Sequence, residues 1–219
     1  MKKLALTFVI VALLFAVVSM PGCNNSRKIP KDFDYGNWTG TTYRNDFFGF
    51  SITVPEGWYI GGKEEIKAVI DESKGMIDNK ELQKQLKIAE ITTANLFFTS
   101  QYTEEEALEK EASNPNIVLI VENLSAGKRQ IDRAQFANSY RQNLSKAVPG
   151  LVVKSQTEKS IGGQEFTSLQ LQFTMNDTLI FQEHLVCVKN GFAVTFGLTT
   201  LDDSEKPLLD DIMATLKWD

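Results

Sequence analysis

Apolar residues follow three different rhythms along this chain. Residues 4–18 form one unbroken apolar run directly after Lys2 and Lys3. Residues 47–54 alternate instead, with Phe48, Phe50, Ile52 and Val54 separated by Gly49, Ser51 and Thr53. That period of two predicts a strand with one buried face, ended by Pro55-Glu56-Gly57. Between 132 and 148 the spacing changes to four (Phe136, Tyr140, Leu144), which predicts a helix with Asp132 as N-cap and Pro149-Gly150 as stop.

The remaining elements follow from the same reading. Residues 63–90 have helical character, broken near Gly75, with Ile66, Val69 and Ile70 in one apolar stripe. Strands are expected over 92–99 and 117–121, with an acidic helix or loop over 103–116 between them. Four further strands are expected near 151–158, 165–175, 179–189 and 192–200, then a final helix over about 204–216.

The last three long strands allow a prediction of register. Asn190-Gly191 is a two-residue hairpin signal and pairs Cys187 with Val194, Leu185 with Phe196 and Glu183 with Leu198. A three-residue loop at 176–178 would pair Met175 with Leu179, Phe173 with Phe181 and Leu169 with Leu185. Both hairpins then agree on one apolar face holding Leu169, Leu171, Phe173, Phe181, Leu185, Val194, Phe196 and Leu198. The opposite face carries Gln170, Gln172, Gln182, His184, Thr195, Gly197 and Thr199, all uncharged and polar or small.

The early apolar run is too short, at about 15 residues, to span a bilayer as a stable helix. With the basic start and Gly22 before Cys23 it reads as an export signal over residues 1–22. Met20-Pro21-Gly22-Cys23 resembles the bacterial lipobox, although Pro21 is an unusual occupant of its position. That resemblance implies a diacylglyceryl thioether on Cys23, cleavage after Gly22 and further acylation (palmitate-type chains) of the new amino group. The chain would then be held outside the cytoplasm on the cell membrane or outer membrane, because two or three acyl chains give lasting attachment. Residues 23–45 are polar with little apolar periodicity and read as a tether of roughly 25 Å r.m.s. span. Phe33, Tyr35, Trp38 and Tyr43 suggest that its second half docks on the globular domain, set at 46–219.

Composition narrows the classes. The net charge of −5 and the lack of a basic block make nucleic acid a poor partner. Only Cys23 and Cys187 are present, so acylation of the first leaves the second without a disulfide partner. Cys187 falls on the apolar face and is expected to be an inert core thiol.

The order of elements resembles the PsbP-like α/β sandwich superfamily. The carrying residues are 43–58 (Tyr43 through Pro55-Glu56-Gly57-Trp58) and 161–218. The second stretch contains Ile161-Gly162-Gly163-Gln164, Asn190-Gly191-Phe192 and Ile212-Met213-Ala214-Thr215-Leu216. The resemblance implies an α+β fold, an antiparallel sheet with helices packed on both faces. It also implies a mostly non-catalytic membership: an extrinsic photosystem subunit, a nuclear-transport factor and many bacterial lipoproteins. No family catalytic residues carry over, and residues 63–90 and 103–116 look like expansions.

Candidate chemistry is sparse. His184, the sole histidine, is either one polar contact in a ligand groove with Gln170, Gln182 and Thr195, or hydrogen-bonded beneath a covering helix, or simply solvated. Glu183 should face the apolar side and reach solvent or a Lys or Arg at the sheet margin, since an unpaired buried carboxylate is costly. The acidic residues 104–111 lack the spacing of a calcium loop and read as a solvated face. No nucleophile elbow, phosphate loop, dinucleotide or metalloprotease pattern occurs, and a lone histidine forms no metal site. No cofactor is expected.

These readings point to a lipid-anchored envelope protein that binds a protein partner or small ligand without catalysis. Two alternatives remain: an envelope hydrolase or isomerase using His184 and Glu183, and a structural subunit of a membrane complex. A catalyst should bring those two residues into one cleft, and a ligand binder should show a pocket over Gln170, Gln182 and Thr195.

Overall fold

A computed structural model of the chain describes residues 28–62, 91–124, 131–148, 150–175 and 177–219. The expected signal over 1–22, Cys23, the helical character expected over 63–90 and the expected stop at Pro149 lie outside the described residues. Among those described, eleven strands and three helices occur in the order β1 (Asn37–Thr39), β2 (Thr42–Asn45), β3 (Phe50–Thr53), β4 (Tyr59–Gly61), β5 (Thr93–Ser100), α1 (Glu104–Glu109), β6 (Asn116–Asn123) and α2 (Arg133–Ala147). Then follow β7 (Val152–Ile161), β8 (Gln164–Met175), β9 (Thr178–Lys189), β10 (Phe192–Thr200), α3 (Lys206–Met213) and β11 (Lys217–Trp218).

The strands form two antiparallel sheets. One has four strands in the order β1-β2-β3-β11; the other has seven in the order β4-β5-β6-β10-β9-β8-β7. Both faces of the larger sheet are buried. On one side Leu185, Val194, Phe196 and Leu198 pack with Tyr43, Phe50 and Ile52 of the small sheet and with Leu209, Ile212 and Met213 of α3. On the other, Leu169, Leu171, Phe173, Ile180 and Val186 pack with Phe136, Tyr140 and Leu144 of α2. The layer opposite α2 is therefore mainly a second sheet, with the short α3 beside it. Among the described residues, the expected antiparallel sheet thus carries α2 on one face and a small sheet with α3 on the other.

Three local expectations need correction. Residues 28–45 are built into the domain instead of forming a free tether: β1 and β2 pair with each other, β2 pairs with β3, and Phe33, Tyr43 and Asn45 are buried. Strands β1 and β2, ahead of the boundary expected at residue 46, thus pack with the domain, as the aromatics of this stretch had suggested. Asp34 explains part of the docking, since its Oδ1 accepts from the Gly36 N–H and its Oδ2 from those of Asp46 and Phe47. The last helix ends at Met213, not 216. The Thr215 hydroxyl donates to the Thr53 carbonyl and accepts from the Thr53 N–H, both at 2.9 Å, and this leads the chain into β11.

The third correction is a register. The β9–β10 hairpin pairs as expected, with Cys187 opposite Val194, Leu185 opposite Phe196 and Glu183 opposite Leu198. The β8–β9 hairpin has a two-residue loop, so Met175 pairs with Thr178, Phe173 with Ile180 and Leu169 with His184. Asp177 takes a φ of +61° there, as Asn190 does at +51° in the other hairpin. Short polar side chains tolerate this left-handed region, which two-residue hairpin loops require. The one-residue difference turns Leu169, Leu171 and Phe173 toward α2 and puts Gln170 on the side of Glu183. No penalty opposes it, because apolar layers wait on both sides of the sheet.

Candidate functional site

Adjacent strand residues point to opposite faces, so Glu183 and His184 serve different layers. His184 lies fully buried under α2. Its Nδ1 is 2.8 Å from the Tyr140 hydroxyl and its Nε2 is 3.1 Å from Gln182 Oε1. The Gln182 amide nitrogen in turn donates to the Thr199 hydroxyl at 3.0 Å. Since Gln182 Oε1 can only accept, the imidazole proton sits on Nε2 and Tyr140 donates to Nδ1. Burial holds the imidazole pKa down to about 3, against a weaker upward pull from the Glu183 carboxylate. The ring is a neutral structural link beneath a covering helix. It is not a base open to a ligand.

Glu183 sits on the other face, only 4% exposed. Its Oε1 accepts from Lys159 Nζ at 2.5 Å and from the Ser168 hydroxyl at 2.6 Å, while Oε2 lies 2.8 Å from Lys206 Nζ. Burial pushes the carboxyl pKa up, but hydrogen bonds from Lys159, Lys206 and Ser168 outweigh it and hold the group below the usual carboxylate range. A carboxylate so stabilised is a weak base, and Ser168 beside it is fully buried. The sequence placed Glu183 opposite Leu198 and looked for a Lys partner; the structure supplies two.

Beside this cluster a cleft of about 390 Å³ opens between β7, β8, β9 and the start of α3, with Lys154, Gln170, Gln172, Phe181, Glu183, Thr200 and Lys206 in its lining. Its volume suits a small molecule of roughly amino-acid or monosaccharide size. The register explains the lining. Gln170 pairs with Glu183 and Gln172 with Phe181, while Thr200 pairs with Phe181 from the other side. Lys154 enters through a bulge: Val153 pairs with Leu171 and Ser155 with Gln170, so Lys154 is the extra residue between them. Bulges commonly re-aim a side chain next to a site. Lys206 spends its ammonium on Glu183 and Asp210, whereas Lys154 has no ion-pair partner among the described residues.

Of the four residues expected to face a ligand, Gln170 and Gln182 border this cleft, while His184 and Thr195 do not. Gln182, His184 and Thr195 share the α2 face and are buried there, so no open groove runs over them. Lys154, Gln172 and Lys206 were missed. Gln172 had been placed on the polar face, but a bulge inside β7 and the meeting of β7 with α3 leave no mark in hydrophobic periodicity. His184 and Glu183 do not converge, so the pair expected of a hydrolase or isomerase is absent as a site. No group of three His, Cys, Asp or Glu is placed to hold a metal ion among the described residues, and no helix among them is long and apolar enough to cross a membrane.

No protein-family model and no curated protein matches the chain by sequence. Solved structures do resemble it. Cyanobacterial PsbP (CyanoP) from Synechocystis is 12% identical, with a TM-score of 0.50 over 87% of this chain and 97% of that one. LpqN of Mycobacterium tuberculosis, described as involved in cell envelope biogenesis, is 15% identical, with a TM-score of 0.43 over 77% of this chain and 82% of that one. At such identities the likeness concerns architecture alone: the fold is PsbP-like.

Proposed function

We propose that this chain is a lipid-anchored cell-envelope protein whose domain binds a small polar ligand and performs no reaction on it. The observation that carries the binding half is the cleft beside Glu183, where Lys154 projects from a bulge with no carboxylate partner among the described residues. Amides from Gln170 and Gln172 offer both donors and acceptors, Phe181 offers an apolar wall, Lys154 offers a cation and Asp203 an anion. That set suits a compact solute bearing hydroxyl or amide groups and a negative group for Lys154, with a donor or cationic group for Asp203. The non-catalytic half is supported by the weak basicity of Glu183 and the enclosure of His184. The address rests on the order Lys2-Lys3, apolar run, Gly22-Cys23.

Two measurements test the halves separately. Cells expressing the chain or Cys23→Ala are fed a fatty acid carrying an alkyne tag, then fractionated. Label and membrane association should both vanish in the variant; retention of either sinks the anchor. For the cleft, native mass spectrometry of gently purified protein should reveal a bound small molecule that Lys154→Glu loses. An empty protein whose melting ignores a panel of small anionic and neutral metabolites would refute binding.

A further inference from the structure

The docking of residues 28–45 changes what the anchor can do. Only four residues lie between Cys23 and Lys28, so the two are at most about 18 Å apart when the chain is fully extended. Lys28 is fastened to one end of the larger sheet: its carbonyl accepts from the Asn123 side chain at the end of β6, and the Ile29 N–H donates to Ile91 just before β5. An acyl group on Cys23 would therefore hold that end, and no other, against the lipid surface.

The same end displays exposed aromatics on a rigid mount. Phe47 is 40% exposed and Tyr35 36%, and both rings meet the edge of buried Phe33, at 5.7 and 5.3 Å between centroids. The Phe47 backbone is clamped from both sides. Asp34 accepts from its N–H, and the Asn190 side chain in the β9–β10 turn donates to its carbonyl at 2.6 Å. Its neighbour Phe48 points inward and is buried. A large aromatic held outward at no further ordering cost is suited to contact an amphipathic surface, and aromatic rings favour the membrane interface. Lys28, Lys31 and Arg44 are exposed here, but Asp32, Asp46 and Asp219 match them in number, the last two paired with Arg44, so the contact does not depend on anionic lipid.

We infer that the end of the domain bearing Phe47, Tyr35 and the β9–β10 turn is a membrane-docking surface that seats on the lipid holding the anchor. This rests on the lipid-anchor reading proposed above. Docking sets orientation as well. Phe181 in the cleft lies eight residues before Lys189 on β9, or about 26 Å along the strand. The cleft is then carried away from the bilayer, open to solutes of the surrounding space.

The test uses the chain beginning at Cys23, coupled through that thiol to a maleimide phospholipid in phosphatidylcholine vesicles. Amide exchange is compared with the same chain coupled to a soluble maleimide. Peptides covering 31–36, 46–49 and 188–192 should exchange several-fold more slowly on vesicles, while those covering 152–156 and 177–181 at the far end should not change. Phe47→Ser with Tyr35→Ser, both at exposed positions, should abolish the slowing. Unchanged exchange at the proposed end, slowing at the far end, or slowing that survives the double substitution would each overturn the proposal. Because the coupling is chemical, the outcome is independent of acylation in the cell, which the fatty-acid labelling decides.

Discussion

Replacing Glu183 by Gln should destabilise the fold at neutral pH and lose that effect in acid. The carboxylate is 4% exposed and holds Lys159 at 2.5 Å, Lys206 at 2.8 Å and Ser168 at 2.6 Å. Hydrogen bonds to a buried charge contribute about 1.5–3 kcal/mol each. The two lysines are 34% and 29% exposed, however, so water recovers much of their solvation once the partner is gone. A net cost of about 2 kcal/mol follows, or roughly 4–8 °C in Tm for a chain of this length. The folded carboxyl titrates below its ordinary value of 4.5. Its contribution is therefore complete above pH 4.5 and disappears as pH falls through the lower folded value. Urea unfolding of both proteins at several pH values between 7 and 3 measures this directly. His184 titrates in both proteins and so largely cancels from the difference. Equal stability at pH 7, or a gap that stays constant down to pH 3, would refute the reasoning.

Four further outcomes follow, three from buried groups and one from a glycine. His184 is held neutral, with its pKa near 3 against 6.5 unfolded, so stability should decline by up to about 1.4 kcal/mol per pH unit as pH falls below 6.5. Denaturant titrations of the parent and His184→Gln should differ in that slope; parallel curves would contradict it. Tyr140→Phe removes the donor to His184 Nδ1 and leaves a buried acceptor unmet, at a cost of about 1–3 kcal/mol by the same assay. Cys187, fully buried with its thiol pKa pushed up to about 12 by burial, should resist iodoacetamide until the protein unfolds; rapid labelling of the native state would refute its placement. Gly162→Ala should lower Tm, because a Cβ there would lie 2.3 Å from the Leu216 carbonyl oxygen at a φ of +60°; an unchanged midpoint would show that this approach is not real.

The fold was legible wherever a local signal carried its own geometry. Asn190-Gly191 gave the correct pairing over the whole of β9 and β10, since that turn admits one register. Asp132 caps α2 as read, with its side chain accepting from the Gln135 N–H. Two things escaped. Strands as short as β1, β4 and β11 have too few residues to show a period. And the agreement between two hairpins on one apolar face, taken as evidence for register, had no force in a sheet buried on both sides. Gln170 and Leu169 could exchange faces because each finds suitable company either way: Gln170 with Ser155 and Glu183, Leu169 with the α2 layer.

The same exchange decides where chemistry can occur. In the expected register Gln170, Gln182, His184 and Thr195 would share one polar surface, and His184 would be its centre. With β8 shifted by one residue, Leu169 and Leu171 close over that surface beneath α2, and the histidine becomes an internal strut. Gln170 and Gln172 move to the face of Glu183, where the bulge at Lys154 and the first turn of α3 complete a cleft. Glu183 then has a structural reason for its place. Without a carboxylate there, Lys159 and Lys206 would bring two like charges together at one wall of the cleft, and α3 would lose its ionic tie to the sheet. Lys206→Met should therefore loosen α3 and weaken ligand retention together, whereas Lys154→Gln should weaken retention alone. Thermal unfolding and native mass spectrometry on the two variants separate these effects, and identical losses of stability in both would refute the division of roles.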